Sequence, residues 1–244
     1  MEKLSNDFEQ RCSDLEENLK VIHSRMEEAA VKSGRRGQDI TLLAATKTVP
    51  VEVINHGISL GIDHIGENKV QELTDKYDSY DLKHCDLQFI GHLQTNKVKY
   101  LVGRVGMIQS VDSVKLAKEI SRLSVEHSVS TDILIEVNIG REENKSGVMP
   151  EQLYDLLPQV AEFPGLRVRG LMSIPPADAG KSETAAYFSK MSKYFVDIKA
   201  KKLDNVTMDF LSMGMSSDYY EAILAGANMI RVGTALFGPR VYQK

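Results

Sequence analysis

The chain has no tryptophan, two cysteines and seven prolines, and only 7% of its 244 residues are aromatic. Cys12 and Cys85 are too few for a disulfide framework, and no Cys/His spacing fits a zinc site. No apolar run approaches the length of a membrane span. Positive charge is not in excess either. Thirty Lys and Arg against 34 Asp and Glu leave a net charge of −4, so there is no overall basic field for nucleic acid and no charged block to tether a membrane. The opening residues are polar and acidic, unlike a secretory or mitochondrial leader. These absences lead to the expectation of a cytoplasmic protein with no metal, no nucleic-acid partner and no membrane partner.

What is present is a chain that is 42% apolar and long enough for a large core. Phe8, Cys12, Leu15, Leu19, Ile22, Met26 and Ala29 alternate at spacings of four and three. That stripe predicts an amphipathic N-terminal helix over residues 4–30, within bounds of 2–33, closed by Ser33-Gly34-Arg35-Arg36-Gly37. The stripe is coiled-coil-like, but packing on its own domain is the preferred reading. From residue 37 the pattern turns to short apolar strands at 40–47, 64–67, 87–92, 106–111, 132–138, 168–174, 208–213 and 229–236. Helical stretches stand between them at 51–60, 69–77, 96–101, 113–127, 151–163, 181–200 and 218–225. Strands each separated by a helix imply parallel pairing. Their number and the chain length fit an α/β fold, a (β/α)8 TIM barrel forming a single domain over 1–244. An open doubly wound sheet is the alternative, weakened because no Gly-x-Gly-x-x-Gly turn follows the first strand.

In such a barrel, chemistry gathers at the C-terminal strand ends. Those ends read Lys47, Glu67-Asn68, His92, Asp112, Asn138, Ser173, Met213-Gly214-Met215-Ser216 and Arg231-Val232-Gly233-Thr234. Lys47 closes an apolar segment, and Thr48-Val49-Pro50 breaks the chain after it. A lysine desolvated at a strand end is suited to attack on an aldehyde, and a lysine snorkelling to water is the ordinary alternative. The segment from Ser212 to Asp218 and the pair Gly233-Thr234 offer small residues, hydroxyls and backbone N–H groups to an anion. The first of them also reads as a plain helix cap at Ser216 or Ser217. Lysine and phosphate cup together suit a phosphorylated sugar or ketone, as in Schiff-base aldolases, or pyridoxal 5′-phosphate, which carries both groups. Arg231 shares a side with Gly233. Facing a pyridine nitrogen, it would keep that atom unprotonated and the ring a weak electron sink. Its alternative is an ion pair inside the barrel.

Several residues carry weaker readings. Asn68 and His92 are candidates for the ring pocket, with a structural histidine equally open at His92. Residues 138–147 read either as a lid or as a solvated loop. Lys97, Lys99 and Lys145 read as ordinary exposed lysines, and Met172, Met213 and Met215 as packing.

The motifs Ala44-Ala45-Thr46-Lys47, Ile65 to Glu72 (IGENKVQE), Phe89 to Lys97 (FIGHLQTNK), Gly170 to Ile174 (GLMSI), Leu211 to Asp218 (LSMGMSSD) and Arg231 to Gly238 (RVGTALFG) stand in one order. With them the chain resembles the YggS/PROSC (PLPBP) family of pyridoxal-phosphate-binding homeostasis proteins. That family's barrel is related to the N-terminal domain of bacterial alanine racemase. The resemblance runs from Leu42 onward. It implies that Lys47 carries pyridoxal 5′-phosphate as an internal aldimine, that Ser216, Gly233 and Thr234 hold the phosphate, and that Arg231 faces the pyridine nitrogen. Asn68 completes the expected cofactor-binding set, and no residue is assigned a catalytic role. Alanine racemases add a β-domain with a catalytic tyrosine, and the sequence after strand eight is too short to encode one. The expectation is therefore a non-catalytic, monomeric protein that buffers or delivers the cofactor, with apo pyridoxal-phosphate enzymes or vitamin B6 salvage enzymes as candidate partners. The alternative is a racemase-like enzyme acting on amino acids.

Overall fold

Strands whose residues are buried on both faces can be accommodated only where helices cover one side and a filled interior covers the other. Strands β4 (Met107–Val111) and β5 (Thr131–Val137) are buried along their whole length. With β1 (Thr41–Ala45), β2 (His64–Glu67), β3 (Asp86–Phe89), β6 (Leu166–Ser173), β7 (Val206–Ser212) and β8 (Met229–Val232) they form a closed barrel in sequence order. Every pairing is parallel, including β1 with β8. The computed structural model describes residues 2–239, with side chains from Phe8 onward. Met1 and residues 240–244, which the expected span of 1–244 includes, lie outside the described residues.

The helices are α1 (Glu2–Lys32), α2 (Val51–Ser59), α3 (Val70–Lys76), α4 (Val114–Glu126), α5 (Leu153–Ala161), α6 (Lys181–Lys201), α7 (Tyr219–Leu224) and α8 (Thr234–Phe237). Residues 96–101, expected as a helix, form instead a 3₁₀ segment over Thr95–Tyr100. The last strand is also shorter than expected. It stops at Val232 because the N–H groups of Gly233 and Ala235 turn to the Ser216 hydroxyl, and α8 begins at once.

Side chains alternate across each strand, which sorts the barrel into an inside and an outside. In β1, Leu42 and Ala44 belong to the layer under the helices, whereas Leu43 packs inward with Ile90 and Met229. Met107, Leu134 and Met172 fill the other half of the interior, and Phe210 packs on both groups. The same alternation sends Ala45 and Lys47 toward the mouth. On the outside, α1 lays Leu15, Ile22, Met26 and Ala29 into the core, so the predicted stripe packs on its own domain. Phe8 departs from that stripe and is exposed.

Candidate cofactor site

Lys47 stands two residues beyond β1, inside the turn that leads to α2. Both of its neighbours are pinned from outside the barrel. Thr46 is fully buried, and its hydroxyl lies 2.8 Å from Glu67 Oε1. Tyr80 OH donates to the same oxygen at 2.8 Å and Lys76 Nζ at 3.1 Å. Lys76 also donates to Glu72 at 2.6 Å, and the Glu72 carboxylate accepts the Thr48 N–H at 2.6 Å. That last bond holds Thr48 at φ +64°, a conformation that β-branched residues avoid. Burial pushes the Glu67 carboxyl above its ordinary range; the nearby Lys76 ammonium opposes the shift and Glu72 adds to it. The Tyr80 hydroxyl is pushed up as well, by burial first and by the Glu67 charge second. With its neighbours fixed in this way, Lys47 has no hydrogen bond or ion pair of its own among the described residues.

On the neighbouring strand β8, level with Leu43, Arg231 is 4% exposed. Its Nη1 donates to Ser212 Oγ at 2.5 Å and its Nη2 to the Ser173 carbonyl at 2.9 Å. Ser212 donates onward to Gln109 Oε1 at 2.7 Å, Gln109 Nε2 to Gln88 Oε1 at 2.6 Å, and Gln88 Nε2 to Asp86 at 2.7 Å. A continuous polar chain through the barrel interior therefore fixes the guanidinium plane. Burial lowers its pKa to about 10, and the Glu136 and Asp218 carboxylates oppose that fall. Arg231 stays protonated at neutral pH and presents only N–H donors.

The anion cup is built differently from the helix-end site that the sequence suggested. Ser216 is not the cap of α7. Asp218 holds that position, and its carboxylate accepts the Met215 N–H at 2.6 Å. The Ser216 hydroxyl instead accepts from the Gly233 N–H at 3.3 Å and the Ala235 N–H at 3.1 Å, bridging the two segments. Because α7 is only six residues long, its dipole is small, and the cavity wall here presents the hydroxyls of Ser216, Ser217 and Thr234 beside Gly233.

The six residues of the expected cofactor set, Lys47, Asn68, Ser216, Arg231, Gly233 and Thr234, all line one cavity of about 320 Å³. Asn68 is seated by Gly91, where a Cβ would fall 2.0 Å from the Asn68 carbonyl oxygen. The cavity also takes in Arg11, Thr48, Ile90, Ile174 and Phe237, none of which the strand-end reading singled out. His92, Asp112, Asn138 and Ser173 do not line it. His92 is exposed, and Ser173 contributes its carbonyl to Arg231. Asn138 binds the backbone of Glu142 through both its amide N and O, which ties the loop 138–147 down on itself. Lys145 pairs with Glu142 at 2.8 Å, and Lys97 and Lys99 lie over the Tyr100 ring. Among the described residues no cluster of three or more His, Cys, Asp or Glu is placed to hold a metal ion, and no helix is long and apolar enough to cross a membrane.

The wall fits a phosphorylated aldehyde. Its cations are Arg11, Lys47 and Arg231, and among the described residues no carboxylate lines it. Gly214, at φ +93°, lets the chain fold back against α7, and Gly233 leaves no Cβ between the cup and Ala45. A parallel barrel with a lysine at the end of its first strand and an arginine on its last defines an alanine-racemase-type barrel. The family model for the alanine racemase N-terminal domain matches residues 12–241. The chain belongs to the family of pyridoxal phosphate homeostasis proteins. It is 43% identical to the member from Aquifex aeolicus over 93% of this chain and 98% of that one. A solved structure of PipY from Synechococcus elongatus, with pyridoxal phosphate bound, superposes with a TM-score of 0.75 at 33% identity, covering 82% of this chain and 93% of PipY. Alanine racemase from Clostridium difficile shares the fold alone, with a TM-score of 0.74 at 14% identity over 92% of this chain and 59% of the racemase.

Proposed function

We propose that the protein binds pyridoxal 5′-phosphate in this cavity and serves vitamin B6 homeostasis by sheltering the cofactor and giving it up again. The carrying observation is that the Lys47 amine, without a hydrogen bond or ion pair among the described residues, lines the same cavity as Arg231, Ser216, Gly233 and Thr234. When bound, the cofactor supplies an aldehyde for reversible condensation with an amine, and a ring able to take up electrons. Lys47 is the amine for that aldehyde. Ser216, Gly233 and Thr234 hold the phosphate, Asn68 borders the ring, and Arg231 faces the ring nitrogen and keeps it unprotonated.

The non-catalytic reading is supported by the buried Arg231 guanidinium on the cavity wall, which offers only N–H donors; a ring nitrogen held unprotonated by it would stabilise a carbanion poorly. It is supported again by the wall, which among the described residues carries no histidine, cysteine, tyrosine or carboxylate to act as a second base beside Lys47. The names of the relatives point the same way. We place the protein in the cytoplasm as a monomer, handing cofactor to apo pyridoxal-phosphate enzymes or receiving it from salvage enzymes.

Purified protein mixed with pyridoxal 5′-phosphate is expected to turn yellow, and borohydride is expected to remove the visible band and leave the cofactor fixed on Lys47. Lys47→Ala should show no such band. Wild-type protein that never takes up the cofactor would sink the reading. Steady turnover of a D- or L-amino acid, lost in Lys47→Ala, would replace the carrier with an enzyme. Delivery is read by mixing loaded protein with an apo-enzyme and comparing its activation with activation by spontaneously released cofactor.

A further inference from the structure

Arg11 has no part in the reading above. It belongs to α1, outside the barrel, yet it forms part of the cavity wall together with Thr234 and Phe237. It is half-buried, and among the described residues it has neither an ion pair nor a hydrogen bond. A guanidinium is a donor-only group whose fork matches phosphate oxygens, so one at an anion cup with no partner among the described residues has a ready ligand.

Its placement is fixed by a pattern along α1. Arg11, Asn18, Arg25 and Lys32 stand seven residues apart, so they lie almost on one line, drifting by about 20° per heptad. Each of the three later members contacts α7 or α8. Asn18 Nδ2 donates to the Leu236 carbonyl at 3.1 Å. The Arg25 guanidinium lies 5.4 Å from the ring centre of Tyr219 and 5.6 Å from that of Tyr220. Lys32 Nζ donates to Tyr220 OH at 2.8 Å. Helices α7 and α8 directly follow the segments that carry Ser216 and Gly233-Thr234. The seam therefore sets the register of α1 against the elements that form the cup, and Arg11 is its cavity end.

We propose that Arg11 is a phosphate-binding residue, pairing with the phosphate dianion of the bound cofactor, and that the Asn18, Arg25 and Lys32 seam holds it in place. The assignment rests on the pyridoxal phosphate reading. It makes α1 part of the binding site, beyond its role as packing. By linkage, a phosphate in the cup also strengthens the docking of the first turns of α1.

The test compares wild type, Arg11→Gln and Arg11→Lys, titrated with pyridoxal 5′-phosphate and with pyridoxal, which has the aldehyde but no phosphate. The visible band reports both. Arg11→Gln is expected to weaken pyridoxal 5′-phosphate by about tenfold, as for loss of a charge-assisted bond, and to leave pyridoxal unchanged. Arg11→Lys should recover part of the loss, and the salt dependence of phosphate-ligand binding should be shallower in Arg11→Gln than in wild type. Equal affinity of Arg11→Gln and wild type for pyridoxal 5′-phosphate would overturn the assignment. So would a loss of the same size with pyridoxal, which would mark Arg11 as structural. Wild-type protein that binds neither ligand would instead defeat the cofactor reading itself, and the assignment with it.

Discussion

Gly214 sits at φ +93°, and a Cβ added there would lie 2.5 Å from Ala222 Cβ and 3.0 Å from Tyr219 Cα. Two costs coincide, a left-handed backbone that side chains resist and a turn already in contact with α7. Gly214→Ala is expected to destabilise by about 2–4 kcal/mol, read from the urea midpoint. It should also weaken pyridoxal 5′-phosphate more than pyridoxal, because the segment it displaces carries Ser216. Gly34→Ala is the control. Its φ is +74° but nothing lies within 4 Å of the added Cβ, so only backbone strain of about 1 kcal/mol is expected. The place of Lys47 at the cavity was legible in the sequence, since a residue closing an apolar barrel strand comes to the mouth. The strained Thr48 beside it was not. Its positive φ depends on a carboxylate 24 residues away at Glu72, and no local pattern reveals that acceptor. Gln88, Gln109 and Ser212 left a clearer signal, as polar residues within buried strands, and it would have led to the chain that orients Arg231.

The long helix α1 is bound to the barrel by fully buried side chains, among them Leu15 and Ala29. Leu15→Ala is expected to cost about 2–5 kcal/mol, the range for truncating a leucine that cannot be replaced by solvent. The measurement is again the urea midpoint, and an effect under about 1 kcal/mol would show that α1 packs far more loosely than its burial implies. Strands and the longer helices were legible because their periods of two and of three to four persist over several residues. The exceptions are short. Thr95–Tyr100 tightens to 3₁₀, and α8 replaces the end of the expected last strand because Ser216, seventeen residues away, takes the Gly233 N–H. The apolar stripe of α1 was legible in the same way. The polar heptad beside it carries no such signal, because its meaning depends on which helices it faces.

Over the whole molecule, four carboxyl groups, two buried and two half-buried, share one electrostatic condition. Glu67, Asp86, Glu136 and Asp218 are each held above their ordinary values of 4.5 for Glu and 3.8 for Asp, with burial the first cause every time. The carboxyls shifted the other way, Glu28, Asp39, Glu119 and Asp209, lie at the surface, exposed or half-exposed, and pair with lysine or arginine, so solvent screens them and they contribute little. Just above the ordinary carboxyl values, the folded protein therefore holds more protons than the unfolded chain at these four sites. Stability from these sites is fully present below the unfolded values and is lost as pH rises through the raised folded ones. The urea midpoint is expected to increase as pH is lowered from neutral toward the ordinary carboxyl values, opposite to the fall expected of a protein whose carboxylates are stabilised by ion pairs. Glu67 gives the sharpest check, because its Oε2 is buried without a partner while Oε1 takes Thr46, Tyr80 and Lys76. Glu67→Gln keeps an oxygen for those contacts and removes the titration, so its midpoint should change less with pH than that of the wild type. An unchanged pH slope in Glu67→Gln would mean that Glu67 stays ionised throughout, with Lys76 outweighing the cost of its burial.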